Sequence, residues 1–265
     1  MIGTLTVEPL PDAINSALAG GAALVACAFA LSSFDRWLRR RQPHEMAWTI
    51  AMALFSVGSL ALWWAESTGW TIGVFRLFFV CGAVLNVAWL ALGTIYLLAG
   101  KRVGNITRSW LIAVSGFSVG VVAVSPAKAP IVRSEFPAGR DVFGGAPRAL
   151  AAFGSGVPAL IIIAGALWST WRVMRHQSPA LMHATQRNVK SPWRLAAGNV
   201  LIASGTLILS ASGLLAGRLG QDRAFAITLL IGVCVLFAGF LVASNSTRGR
   251  SVQRATQYLA RAANW

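Results

Sequence analysis

Residues 74–99 read VFRLFFVCGAVLNVAWLALGTIYLLA, with a single charge at Arg76 and a single carboxamide at Asn86. An α-helix needs about 20 apolar residues to cross the hydrocarbon core of a bilayer, and this run is long enough. Lipid offers no partner for open backbone groups, so a run of this kind is expected to be helical. The stretch therefore predicts a membrane-spanning helix.

Six further apolar runs of the same kind follow one another along the 265-residue chain. Hydrophobic residues make up 56% of the chain and charged residues 12%, against about 25% charged residues in ordinary soluble domains. This composition excludes a soluble globular domain and a disordered chain, and it predicts an all-α integral membrane protein. The seven predicted transmembrane helices cover 13–34, 46–65, 74–99, 109–125, 148–171, 195–217 and 225–244.

Basic residues are distributed unevenly between the two predicted sides. Sixteen of the 23 basic residues lie in the links after spans one, three and five and in the C-terminal tail, together with two of the eight acidic residues. Positive residues accumulate in cytoplasmic loops. We therefore predict an outside N-terminus and an inside C-terminus, in the inner (plasma) membrane of a bacterium. The net charge of +15 is spread over every inner loop, which argues against nucleic-acid binding.

The chain divides into a seven-helix transmembrane domain, residues 1–246, and a basic amphipathic cytoplasmic tail, residues 247–265. In the tail, apolar and basic residues fall on different helical faces. The apolar face holds Val252, Leu259 and Ala262, and the basic face holds Arg250, Arg254 and Arg261. This pattern is typical of a helix that lies at the membrane interface. We expect the tail to bind anionic lipid.

Seven spans also permit a parallel 3+1+3 repeat in which the fourth span connects two three-helix halves. Four residues of the first half recur at one constant offset in the second half. Gly58, Gly73, Arg76 and Phe78 align with Gly205, Gly220, Arg223 and Phe225. Apolar helices also match one another by composition alone, so both a true duplication and a chance match remain open.

Glu66, Arg76 and Asn86 are the candidate ligand-binding residues. A polar group in hydrocarbon is costly unless it is paired or faces protein or water. We expect Asn86 to face the bundle on the side of Gly82 and Gly93, either as a ligand contact or as a polar residue that joins helices. Glu66 and Arg76 flank a short outer turn, and we expect them to pair and to line an outward-facing cavity with Asn86.

The sequence offers little support for common enzyme classes. It contains no P-loop or HExxH pattern, and its acids and histidines are few. One GxSxG string, Gly116–Gly120, lies inside a predicted span and not on the turn between a strand and a helix that this motif requires. The three cysteines are dispersed in apolar runs, which indicates neither a metal site nor a disulfide framework. We therefore expect a protein that is not an enzyme and that has no catalytic residue, no metal and no cofactor.

These features favour a sensor that binds a small molecule or lipid, or a subunit of a membrane complex, with a membrane-protein partner or a second copy of itself. The alternative is a small transporter with its site between the two halves. Parallel repeats of transporters place the substrate there, near the middle of the membrane. A water-lined path would favour transport, and a closed core would favour the sensor or subunit.

Cysteine labelling tests the predicted orientation. Single cysteines introduced between 130 and 140, with the three native cysteines replaced by alanine, should react with an impermeant maleimide in intact cells. Cysteines introduced between 180 and 188 should react only after the cells are opened, because the basic loops lie inside. The reverse labelling pattern would contradict the orientation.

Overall fold

The computed structural model describes residues 13–175, 192–219 and 222–245. In these residues the chain forms seven long helices and no strand. They are α1 (Ala13–Arg40), α2 (Pro43–Thr68), α3 (Ile72–Leu98), α4 (Gly100–Val124), α5 (Gly145–Arg175), α6 (Pro192–Leu219) and α7 (Asp222–Asn245). The predicted all-α class is confirmed, and each predicted span lies within one helix to within a residue.

Six of these helices, all except α6, are long and apolar enough to cross a membrane. In α6 the described apolar stretch is the shorter segment Val200–Ala211. Long apolar helices satisfy their backbone groups internally and present side chains that lipid solvates, as a bilayer requires. The chain is therefore a multi-pass helical membrane protein. The tail, residues 247–265, lies outside the described residues, so its interfacial helix remains a prediction.

Six helices pack side by side in a ring, and α4 lies outside it. Around the ring, α1 packs on α2, α2 on α3, α3 on α5, α5 on α6, α6 on α7, and α7 returns to α1. By contrast, α4 packs on α3 and touches α5 only slightly. In the most apolar part of α3, 56% of the residues are buried, against 11% in α4. Helix α3 is thus the central element, and α4 is peripheral.

Short turns with defined caps join the first four helices. Arg41 adopts a left-handed conformation with φ 51° after α1, and Pro43 begins α2 at a position where no N–H is needed. Gly69, with φ 94°, ends α2, and the Thr71 hydroxyl caps the start of α3. Gly100, with φ 82°, separates α3 from α4. These turns let successive helices lie against one another without a long loop.

Small residues bring helix backbones close together, most clearly between α6 and α7. Gly198 and Gly205 of α6 are seven residues apart, as are Gly232 and Gly239 of α7, so each pair returns to one helix face. A Cβ on Gly205 would lie 2.7 Å from the backbone nitrogen of Leu236. A Cβ on Gly239 would lie 2.9 Å from the carbonyl oxygen of Gly198. The two helices therefore touch through their backbones.

Gly205→Leu should destabilise the protein by about 1–3 kcal/mol or more, because a side chain at this position forces α6 away from α7. The matched control is Gly116→Leu in α4, where a Cβ would meet nothing within 4 Å. The control should change stability by at most about 0.5 kcal/mol. Thermal unfolding in mild detergent measures both variants, and equal melting temperatures would contradict the backbone contact.

Candidate functional site

The loop between α4 and α5 folds back onto the ring at the predicted outer end. The sequence predicts an irregular segment, and apart from the helical turn Gly139–Val142 the loop is irregular. The backbone N–H of Trp70 donates to the backbone carbonyl of Arg133 at 2.9 Å, which connects the loop to the turn after α2. The Lys128 N–H donates to the carbonyl of Val142 at 2.9 Å, which closes the loop on itself.

Aromatic side chains of this loop pack against α3 and α7. Phe136 packs on Phe78 of α3, with ring centroids 5.7 Å apart, and on Phe225 of α7, at 5.2 Å. Phe143, fully buried, packs on Phe75 and Phe79 of α3 at 5.4 and 4.9 Å. This loop, residues 125–144, is called the cap, because it covers one end of the ring. Its aromatic contacts connect α3 and α7.

A small recess lies at the edge of this cap. It is a narrow crevice that leaves no room for a water molecule. Its lining residues come from α1, α2, the loop and α7, and they are Asn15, Leu62, Glu66, Phe136, Phe225 and Ala226. Asn15 is only 6% exposed, and its Oδ1 is buried without a hydrogen-bond partner. A buried acceptor of this kind costs about 1–3 kcal/mol, which marks the recess as the candidate site.

The three predicted site residues lie in different surroundings. Glu66 lines the recess, whereas Arg76 and Asn86 are not among its lining residues. Arg76 donates from Nη2 to the backbone carbonyl of Ser125 at 2.6 Å, at the end of α4. The Glu66–Arg76 pair and the role of the three residues in ligand binding remain predictions.

Asn86 faces the bundle, as the sequence predicts, and is 6% exposed. It directly follows a π-helical segment of α3, Phe79–Leu85, and such segments are frequent at functional positions. On the same helix, the backbone of Gly82 meets Gly58 of α2, and Gly93 meets the indole of Trp48. Close helix contacts therefore lie four residues before and seven residues after Asn86 on α3, and whether Asn86 joins helices or contacts a ligand remains a prediction.

The sequence patterns did not predict a second polar cluster, at the other end of α1 and α2. Arg36 donates from Nε to the Glu45 carboxylate at 3.0 Å, and from its Nη atoms to the hydroxyls of Ser32 and Ser33 at 3.0 and 2.9 Å. Ser33 and Glu45 are 0% and 4% exposed. All three guanidinium nitrogens therefore have partners, which compensates for removing the charge from water.

Aromatic rings connect this cluster to α7. The Arg36 guanidinium lies 4.1 Å from the ring centroid of Phe240, within the range of cation–π attraction. Trp48 packs edge-on against Phe240 at 4.8 Å, and His44 packs edge-on against Trp48 at 5.2 Å. The cluster thus joins α1, α2 and α7. Its only signal in the sequence was Glu45, one of two acids among the basic inner links.

Among the described residues, no group of three or more histidine, cysteine, aspartate or glutamate residues is arranged to hold a metal ion. Comparison with protein-family models, with curated proteins and with solved structures finds no match to this chain. The class of the protein follows from its fold: with six long apolar helices among the described residues, it is a multi-pass helical membrane protein.

Glu45→Gln should destabilise the protein by about 3 kcal/mol, because it leaves the Arg36 guanidinium buried beside a neutral group. The control is Asp35→Asn, which breaks the pair between Asp35 and Arg39, whose side chains are 55% and 76% exposed. An exposed pair contributes at most about 1 kcal/mol. Thermal unfolding in detergent compares the variants, and equal effects would contradict a structural role for the buried pair.

Proposed function

We propose that the protein is a non-enzymatic, seven-span protein of the bacterial inner membrane that binds a small molecule or lipid. It acts as a sensor or as a subunit of a membrane complex, with a membrane-protein partner or a second copy of itself. The observation behind this proposal is the recess at the cap, with its buried, unpartnered Asn15 Oδ1. The recess lies at one end of the ring, where α1, α2, the cap and α7 meet.

The packing of α6 supports seven spans. Gly198 and Gly205 of α6, one heptad apart, lie against the backbone of α7 near Gly239 and Leu236. Helix α7 is apolar enough to cross the membrane, so a helix packed along it passes through the same layer. The proposed orientation, with the N-terminus outside, rests on the distribution of basic residues among the loops.

The alternative, a small transporter with a site between two three-helix halves, is favoured by the order of the ring. A parallel repeat relates α1–α3 to α5–α7 by a twofold axis, and the order α1, α2, α3, α5, α6, α7 has that symmetry. Phe78 and Phe225, which the repeat makes equivalent, pack on each other with centroids 6.1 Å apart. If a twofold axis relates the two halves, residues that it makes equivalent can contact each other only where they lie close to the axis.

Packing between the halves favours the sensor or subunit over the transporter. Phe136 of the cap packs on both Phe78 and Phe225, where the halves meet at the outer end. At the other end, Phe29 of α1 packs on Phe237 and Phe240 of α7, at 4.9 and 4.6 Å. A transporter would have to separate these rings in every cycle.

Native mass spectrometry of the protein purified in mild detergent tests the proposed function. A retained small molecule, lipid or protein partner supports it. The transporter would instead be supported if the protein retains no bound molecule or partner and mediates solute flux when reconstituted in proteoliposomes.

Asn86→Leu tests the contribution of Asn86 in the same preparation. We expect a melting temperature lower by a few degrees, because a buried polar group is lost between close helices, and an unchanged set of retained molecules. Loss of the retained molecule at an unchanged melting temperature would instead place Asn86 in the ligand site.

A further inference from the structure

Three basic side chains at the start of α4 have no acidic partner. Lys101, Arg102 and Arg108 are exposed, and within the described part of the chain none of them takes part in an ion pair. The sequence contains no aspartate or glutamate between Glu66 and Glu135. Neither α3 nor the rest of α4 can therefore supply a carboxylate to these cations.

The acids that the structure describes at this end of the ring are already paired. Glu45 accepts from Arg36 at 3.0 Å, and Asp35 accepts from Arg39 at 3.0 Å. The start of α4 thus has a positive charge that the described residues do not neutralise. The distribution of basic residues predicts that this end lies inside, where anionic lipids give the membrane surface a negative potential.

Two of the three cations share one face of α4 with a carboxamide. Lys101, Asn105 and Arg108 are spaced i, i+4 and i+7, so these exposed side chains form a row about 10 Å long. The Asn105 Oδ1 accepts a hydrogen bond from the Tyr96 hydroxyl at 2.9 Å, and Gly104 lies directly against the Tyr96 ring. This contact occupies the amide oxygen and leaves the two amide N–H groups for another acceptor. The row therefore offers hydrogen-bond donors and positive charge.

The same face of α4 becomes apolar toward the middle of the membrane. Ile112 and Val119 continue the row and are exposed. Arg108 directly precedes the predicted span 109–125, so it lies near the boundary between the head groups and the hydrocarbon core. Polar donors followed by an apolar surface match the order of head group and acyl chain in a phospholipid.

We propose that the start of α4 binds the phosphate of an anionic phospholipid through Lys101, Asn105 and Arg108. Their N–H groups donate to the phosphate oxygens, and an acyl chain packs along Ile112 and Val119. Hydrogen bonds between charged groups are among the stronger ones in proteins, and basic sites between transmembrane helices on the cytoplasmic side suit anionic head groups.

This lipid site is distant in sequence from the basic tail and lies at the opposite end of the ring from the recess. The inference therefore goes beyond the proposed function and does not depend on it.

Thermal unfolding of the full chain in maltoside micelles tests the assignment. Phosphatidylglycerol is the probe, and phosphatidylcholine at the same mole fraction is the control, because its choline group neutralises the phosphate. A ligand of the folded state raises the melting temperature with its concentration. We expect a larger rise with phosphatidylglycerol than with phosphatidylcholine. Inorganic phosphate at equal concentration should give no rise, because it has no acyl chain to pack on Ile112 and Val119.

The double variant Lys101→Gln/Arg108→Gln should weaken the apparent affinity for phosphatidylglycerol about tenfold, because two attractive charges are lost. The matched control is Lys128→Gln/Arg133→Gln, which removes the same two charges from exposed positions in the cap. The control should stay within about twofold of the parent. Each rise is read against the variant's own melting temperature without lipid.

Asn105→Asp separates the lipid contact from the contact between α3 and α4. The carboxylate keeps an acceptor for the Tyr96 hydroxyl, but it replaces the two amide donors and places an anion beside Lys101 and Arg108. We expect the melting temperature without lipid to stay within a few degrees of the parent. The affinity for phosphatidylglycerol should fall about tenfold.

The assignment is overturned if phosphatidylcholine or inorganic phosphate raises the melting temperature as much as phosphatidylglycerol does. Equal losses of affinity in the cap control and in the α4 double variant would also overturn it. So would a response that Arg250→Gln/Arg261→Gln removes and that both α4 variants keep, because the lipid would then act at the tail alone. Retention of any other small molecule in native mass spectrometry supports the proposed function whichever result phosphatidylglycerol gives.

Discussion

Close backbone contact between helices is the constraint on which the rest of the structure depends. Apolar side chains gain little by leaving lipid for another helix, so association in a membrane depends on tight packing. Gly58 against Gly82, Gly154 against the Val84 carbonyl and Gly205 against Leu236 provide such packing on three of the six sides of the ring. Two of these contacts fall on the π-helical segment of α3, which explains why this helix is the most buried.

Two groups of polar residues lie at opposite ends of the ring. At one end, Arg36 and Glu45 form a buried pair in which every guanidinium nitrogen has a partner. At the other end, Asn15 lines a recess with an acceptor that has none. The first arrangement stabilises helix packing, whereas the second leaves a buried hydrogen-bond acceptor unsatisfied. This contrast separates the structural cluster from the candidate binding site.

The cap shows how a segment without regular structure can determine the position of functional residues. Phe136 reaches the site from a loop rich in proline and glycine and packs between α3 and α7. The same loop begins at Ser125, whose backbone carbonyl accepts a hydrogen bond from Arg76. The loop thus contributes both an aromatic contact and a backbone acceptor to the outer end of α3.

The sequence by itself determined the all-α membrane class, the position of each helix and the burial of Asn86, because these depend on local hydrophobicity and on the cost of polar groups in lipid. Only the tertiary structure decided that α4 lies outside the ring, that Arg36 meets Glu45 and Phe240, and that Asn15 shares a recess with Glu66. Apolar residues occur on every face of these helices, so the hydrophobic pattern does not show which faces pack against each other. That choice depends on close packing between residues far apart in the chain.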